Sequence, residues 1–432
     1  MDPITQQTVL AAAGAAGGGP VYVDDVFSTD VYTGTGSSKK INNGIDNTSN
    51  SLIWIKCRND NERHHLEGPL LGLNKYLNSN ETYSELTSLN SFTSFDDDGF
   101  TLGTDGSTNQ VNKASKTYVS WNFKAAPGFF DVVTYSGSNS VQTIPHSLGS
   151  EPGMILIKNL TTSIWWAVYH RSLATDKYLR LNESGGVLTS TAIWNQTRPT
   201  STEFTVGVNG QVNGDGSNFV AYIFAHDDQS FGTDSDESII KCGSYTPGGS
   251  NTAETVINLG FEPQWLLIKR SDNSSSWYIV DNMRNFPVSV TTNFSQLTPD
   301  NNDPEYTSNN GPAITSTGFI ANDFLGGSSA DVIYVAIRRP NKPPEVATDV
   351  FAMDTFGGGP PAFTSGFPVD LGIGRNYSSN NNWNWSSRLT SGKELVSNST
   401  GAESSNSSNK FDFQGGWYND SGTYSTYESW MF

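Results

Sequence analysis

The 432 residues carry 43 acidic against 25 basic side chains, a formal net charge of −18, which excludes a duplex-wrapping surface or one built for anionic membranes. Aromatic residues reach 12% while charged residues stop at 16%, the reverse of a disordered chain, and at roughly 100 to 200 residues per domain the length implies more than one domain. The polar bulk is Ser, Thr, Asn and Gly, the residues of turns and strand surfaces, so the balance leans toward β structure.

In chain order, Asp2-Pro3 reads as a helix cap and first turn, and Ile4 to Ala16 as a short alanine-rich helix ended by Gly17-Gly18-Gly19-Pro20. Such a helix is too short to stand alone in water, so residues 1–20 are expected to be an anchor segment whose partner-binding side chains are Pro3, Ile4, Val9 and Leu10. The alternative is a frayed terminus. Asp2 replaces the basic start of a secretory leader, and the chain has no run of 18 apolar residues, so neither a leader nor a membrane span is expected.

A repeated pattern follows. Ile55-Lys56, Ile157-Lys158 and Ile268-Lys269 each close an apolar strand, and nine residues after each isoleucine stand His64, Trp166 and Trp277. Leu66, Val168 and Ile279 lie two residues further on, the period of a second, antiparallel strand. Lys75 to Asn80 is echoed by Lys177 to Asn182 and by Lys393 to Asn398, which gives a fourth copy. Gly99-Phe100, Glu203-Phe204 and Gly318-Phe319 open a further strand. Closing strands run Tyr118 to Phe123, Phe219 to Phe224, Tyr334 to Ile337 and Tyr427 to Phe432.

These registers place modules at 21–124, 128–226, 237–340 and 346–432, joined by links such as Ala126-Pro127-Gly128 and Pro340-Asn341-Lys342-Pro343-Pro344. Links this short and partly proline-stiffened predict a fixed, extended string of domains. The fold class expected is all-β: tandem antiparallel β-sandwich modules of jelly-roll or lectin-like kind, with a short N-terminal helix. Cys57 and Cys242 sit in apolar strands without metal-ligand spacing and are read as buried, reduced thiols.

Aromatics recurring at one module position, such as Trp54, Trp121, Tyr222 and Trp430, are expected in the interior. The position of His64, Trp166 and Trp277 fits either a sheet face or an inter-module seam. Trp383 and Trp385 share one strand face among asparagines and are candidates for glycan contact, against core or subunit interface. Reaction chemistry is thin. Asp96-Asp97-Asp98, Asp215, Asp227-Asp228, Asp234 and Asp236 decorate turns; a loosely bound calcium ion is the only cofactor entertained, and no loop has EF-hand spacing. His65, His146, His170 and His226 are scattered, without a nucleophile elbow, so no catalytic residue is assigned and the chain is not expected to be an enzyme.

Phe129 to Gly137, Ile144 to Ile155, Val168-Tyr169-His170-Arg171, the opening Val31 to Gly34, Ile41 to Ile45 and Leu52 to Lys56, and the closing Tyr118 to Phe123 resemble a repeat of structural proteins in tailed bacteriophages, notably those of marine cyanobacteria. The resemblance covers most of residues 1–340 and, more faintly, the remainder. It implies a virion protein, assembled in the bacterial cytoplasm: a tail-associated appendage or fibre attached by its N-terminal region to other virion proteins and involved in host adsorption through a surface glycan or receptor. A capsid-decorating or head-fibre protein, or a glycan-binding module, are the alternatives. A homo-oligomer, by analogy a trimer, is expected.

Overall fold

The computed structural model describes residues 20–104, 111–247, 255–290, 293–326, 330–358, 360–390, 392–406, 408–419 and 426–432. The expected N-terminal helix, with Pro3, Ile4, Val9 and Leu10, lies outside the described residues. Among the described residues the protein is all-β, built of several small antiparallel sheets; its α-helices are two single turns, Thr191–Trp194 and Gly210–Asn213, capped by Ser190 and Asn209. No helix among the described residues is long and apolar enough to cross a membrane.

Nine strands set the pattern: β1 (Phe27–Thr33), β2 (Lys39–Asn42), β3 (Ser51–Cys57), β4 (His65–Glu67), β5 (Lys75–Leu77), β6 (Leu86–Thr87), β7 (Phe92–Asp96), β8 (Gly99–Leu102) and β9 (Thr117–Lys124). They form one sheet in the order β1-β9-β3-β4-β5-β6 and a second in the order β2-β8-β7. Because β1 and β9 pair from Phe27–Phe123 to Thr33–Thr117, the chain leaves beside the point where it entered. A few residues then suffice to start another copy next to the first.

The same order recurs three times. The large sheet runs 130–136, 218–224, 154–159, 167–170 in the second copy; 240–245, 332–338, 263–270, 277–281 in the third; and 352–355, 427–431, 371–376, 384–387, 393–396, 404–405 in the fourth. Glycine opens the β8 counterpart where a Cβ at Gly99, Gly318 or Gly416 would lie 1.9 Å from the carbonyl oxygen of the paired strand.

β3 and β9 are buried on both faces, which explains why their sequences read as continuous runs rather than clean alternation. Ile53, Ile55, Cys57 and Tyr118 face the small sheet, meeting Ile41, Phe100 and Leu102. Leu52, Trp54, Trp121 and Phe123 turn the other way and enter a cluster with Leu156 and Tyr222 of the second module and Trp265, Leu267 and Val335 of the third. The expected extended string is therefore corrected: the first three modules share one interior. Each large sheet has a second apolar face, and only another module's face can remove it from water. Cys57 and Cys242 are free and buried.

The fourth module keeps a separate cluster around Phe363, Phe411, Trp417 and Met431. Gly372 and Gly374 stand where β3 has Ile53 and Ile55, and a Cβ at Gly372 would meet the Trp417 ring at 2.9 Å. Trp417 in turn replaces Phe100, so a larger ring on one sheet is matched by lost side chains on the other.

A shared interior has a calorimetric consequence. Leu156→Ala is expected to cost about 2–5 kcal/mol and to lower one cooperative transition of all three modules, whereas Ile373→Ala leaves that transition in place; differential scanning calorimetry of the full chain checks both.

Candidate functional site

The seams between the first three modules are where the recurring polar residues converge. Lys56, Lys158 and Lys269 project from the core-facing side of their strands and are buried. A buried ammonium needs acceptors for all three N–H donors. Lys158 Nζ donates to Asn159 O, to Ile164 O and, at 3.2 Å, to Thr82 O of the first module. Lys269 Nζ uses Arg270 O, Ser275 O and Ser184 O of the second module. Lys56 Nζ uses Cys57 O, Asp60 O and Asn302 O of the third. The second module thus binds the first, the third binds the second, and the first binds the third: the cycle closes. Burial pulls each ammonium down to about 8, and the three carbonyls hold the proton in place.

His64, Trp166 and Trp277 follow the same cycle, which decides for the seam. Trp166 Nε1 donates to Asn78 O (3.0 Å), Trp277 Nε1 to Arg180 O (2.9 Å), and His64 Nε2 to Thr298 O (3.0 Å). His64 Nδ1 accepts from Trp54 Nε1, an atom that can only donate, so the imidazole is neutral with its proton on Nε2. Burial pushes its pKa well below the usual histidine range, and Lys56 acts in the same direction. A backbone layer completes each seam: Glu85 N–H to Leu160 O, Val187 N–H to Ser271 O, Glu305 N–H to Arg58 O.

The third copy of Lys75 to Asn80, which sequence comparison passed over, is Ser295 to Asp300. Asp300 accepts from Trp277 N as Asn80 and Asn182 accept from His64 N and Trp166 N. Its legible signal was the leucine shared by Leu77, Leu179 and Leu297, each paired with the preceding strand.

The closing seam carries a charged network. Arg58 holds Glu305 bidentately at 2.9 and 3.0 Å, Arg284 bridges Glu305 and Asp281, and Trp121 Nε1 donates to Asp281 Oδ2. Against burial, which raises it, Arg58 and Arg284 hold the Glu305 carboxyl below its ordinary range. The fourth module docks here: Asp412 pairs with Arg58, Gln414 donates to Thr29 O and to Asp30, and Arg388 reaches Met283 Sδ. A cavity of about 540 Å³ at this junction is lined by Arg58, Arg284, Arg388 and Lys410, with Asp412 the acidic residue of its lining.

Outside the seams, His65, Glu67 and Ser91 meet, but His65 and Ser91 both bond the same carboxylate and all three are buried. A hydroxyl activated by histidine is not what this geometry offers. Asp98 pairs with Lys40, Asp96 accepts from Thr101, and no group of three metal-ligating side chains occurs among the described residues. Of the predicted pair, Trp385 is exposed, while Trp383 is half-buried against Trp430, with the Arg375 guanidinium 4.9 Å from its ring centroid.

A family model described as a domain of unknown function (DUF7483) matches residues 23–339, a span that begins just before β1 and ends after the last strand of the third module. No curated protein matches the chain.

Two measurements bear on the seams. Lys158→Met leaves the carbonyls of Asn159, Ile164 and Thr82 without this donor and is expected to cost about 1–3 kcal/mol in urea unfolding. His170, whose Nε2 donates to Tyr334 O of the third module, is held down to about 4 by burial, below its unfolded value. The unfolded chain therefore binds the extra proton, and stability falls as pH drops from about 6.5 toward 4. A His170→Asn variant is expected to flatten that acid limb by up to about 1.4 kcal/mol per pH unit.

Proposed function

The chain belongs to the DUF7483 family, and from that premise we propose that it is a virion structural protein of a tailed bacteriophage, a tail-associated appendage that serves host adsorption. The reading rests on one observation above the others: the recurring Lys, Trp and His residues, which in an enzyme would line a cleft, are spent on closing three modules into a cycle. A rigid assembly of that kind suits a load-bearing part of a particle, and the resemblance of residues 129–137 and 144–155 to phage structural repeats supports the same role.

In this proposal each large sheet and its small partner act as a β-sandwich, residues 1–20 attach to neighbouring virion proteins, and the fourth module points away from the attachment. No reaction is assigned. The docking of the fourth module through Asp412 and Gln414 favours a fixed outward arm over a tethered one.

Electron microscopy of particles carrying a gold-labelled C-terminus tests the role. Label confined to the tail is the expected result; label spread over the head means a decorating or head-fibre protein, and absence of label from purified particles overturns the proposal.

A further inference from the structure

The fourth module carries a seam face that no other module covers among the described residues, although Ile373 at its centre is buried. Met353, Trp430, Ile373, Trp385 and Leu395 stand side by side across five paired strands. Their counterparts in the first module, Thr29, Trp121, Trp54, Leu66 and Leu77, pair in the same order and are all buried against the neighbouring modules. In the fourth module Met353 is 62% exposed, Leu395 50% and Trp385 39%. Phe351 and Phe432 repeat the ring pair Phe27–Phe123 and are likewise exposed. A patch of this size on a folded domain normally meets a partner.

The polar half of the seam is present too. Trp383 precedes Trp385 by two residues, as His64, Trp166 and Trp277 precede Leu66, Val168 and Ile279. Arg375 follows Ile373 by two, as Lys56, Lys158 and Lys269 follow Trp54, Leu156 and Leu267. Among the described residues Arg375 Nε is buried without an acceptor, and so is Trp430 Nε1, whose counterpart Trp121 Nε1 donates across a seam to Asp281. The receiving half is equally complete, since Val396, Thr400 and Glu403 occupy the places of Asn78, Thr82 and Glu85 by the pairing of Glu394 with Ser404 and of Tyr76 with Leu86.

We propose that the fourth modules of three chains close into a second cycle, making the protein a homotrimer held by the seam that joins its first three modules within one chain. Trp383 then donates to the carbonyl of Val396 of the partner subunit, Arg375 to that of Thr400 of the partner subunit, and the Glu403 N–H to that of Tyr377 of the partner subunit. Each module carries both halves of the contact, a head-to-tail interface, and the copies within one chain show that such an interface closes at three. A second copy therefore fits the face better than a foreign ligand: it supplies acceptors for Arg375 and Trp383 and apolar cover for Met353 and Leu395 together.

The inference does not depend on the virion role; a trimer never found on particles leaves it standing. Sedimentation velocity of the full chain at micromolar concentration tests it. Three times the 46.8 kDa chain mass is expected. Leu395→Arg combined with Trp385→Arg is expected to reduce that mass threefold while leaving the thermal transition of the first three modules unchanged, whereas Leu89→Arg, at an exposed leucine of the first module, leaves the trimer intact. A monomeric or dimeric unaltered chain overturns the inference, as does a trimer that survives the double substitution; a monomer that binds polysaccharide through Trp385 assigns the face to a glycan instead.

Discussion

Three ammonium groups buried in a largely apolar interior constrain everything around them. Each lysine finds two carbonyls in its own module and lacks a third, and the missing acceptor comes from the loop of another module. A single module would leave that donor without its acceptor and its large sheet wet on one face. The apolar faces and the lysines therefore impose the same solution, a closed cycle in which each module covers its neighbour. The histidine and tryptophans at the edge of the face fix the angle, because an indole or imidazole N–H must meet one particular carbonyl.

The cycle also explains a division within the chain. Residues 23–339 match one family model, and those residues contain all three seams. The fourth module shares the strand order but lies outside that match, and among the described residues its interior alone sets Trp417 against Gly372 and Gly374. What it retains is the outward face, with Arg375 in the lysine position and Trp383 in the tryptophan position.

The repeat was legible because period-two alternation and the Ile-Lys register depend on local chemistry alone, and the strands around Ile55, Ile157 and Ile268 fall where spacing puts them. The cycle was not legible. A buried face is apolar whether it meets a sheet of its own module or of another, and nothing in Trp54 or Leu156 names the partner. The lysines were visible as strand-end residues, yet Lys56 reads as a solvated charge until a carbonyl 246 residues away is placed beside it. Proline-stiffened links suggested a string because stiffness fixes geometry without saying which geometry. Ser295 to Asp300 escaped notice because only its leucine and its side-chain acceptor are shared with the other copies.

Closure of the cycle joins the first and third modules, which are not consecutive in the chain. Asp60 of the first module and Asn302 of the third both offer a carbonyl to Lys56, one from each side of that seam, and the two native cysteines are buried. Cysteines introduced as Asp60→Cys and Asn302→Cys and treated with a short bismaleimide are expected to give an intrachain bridge, read by peptide mass after digestion. Absence of that bridge, or bridges only between different chains, contradicts the closed cycle.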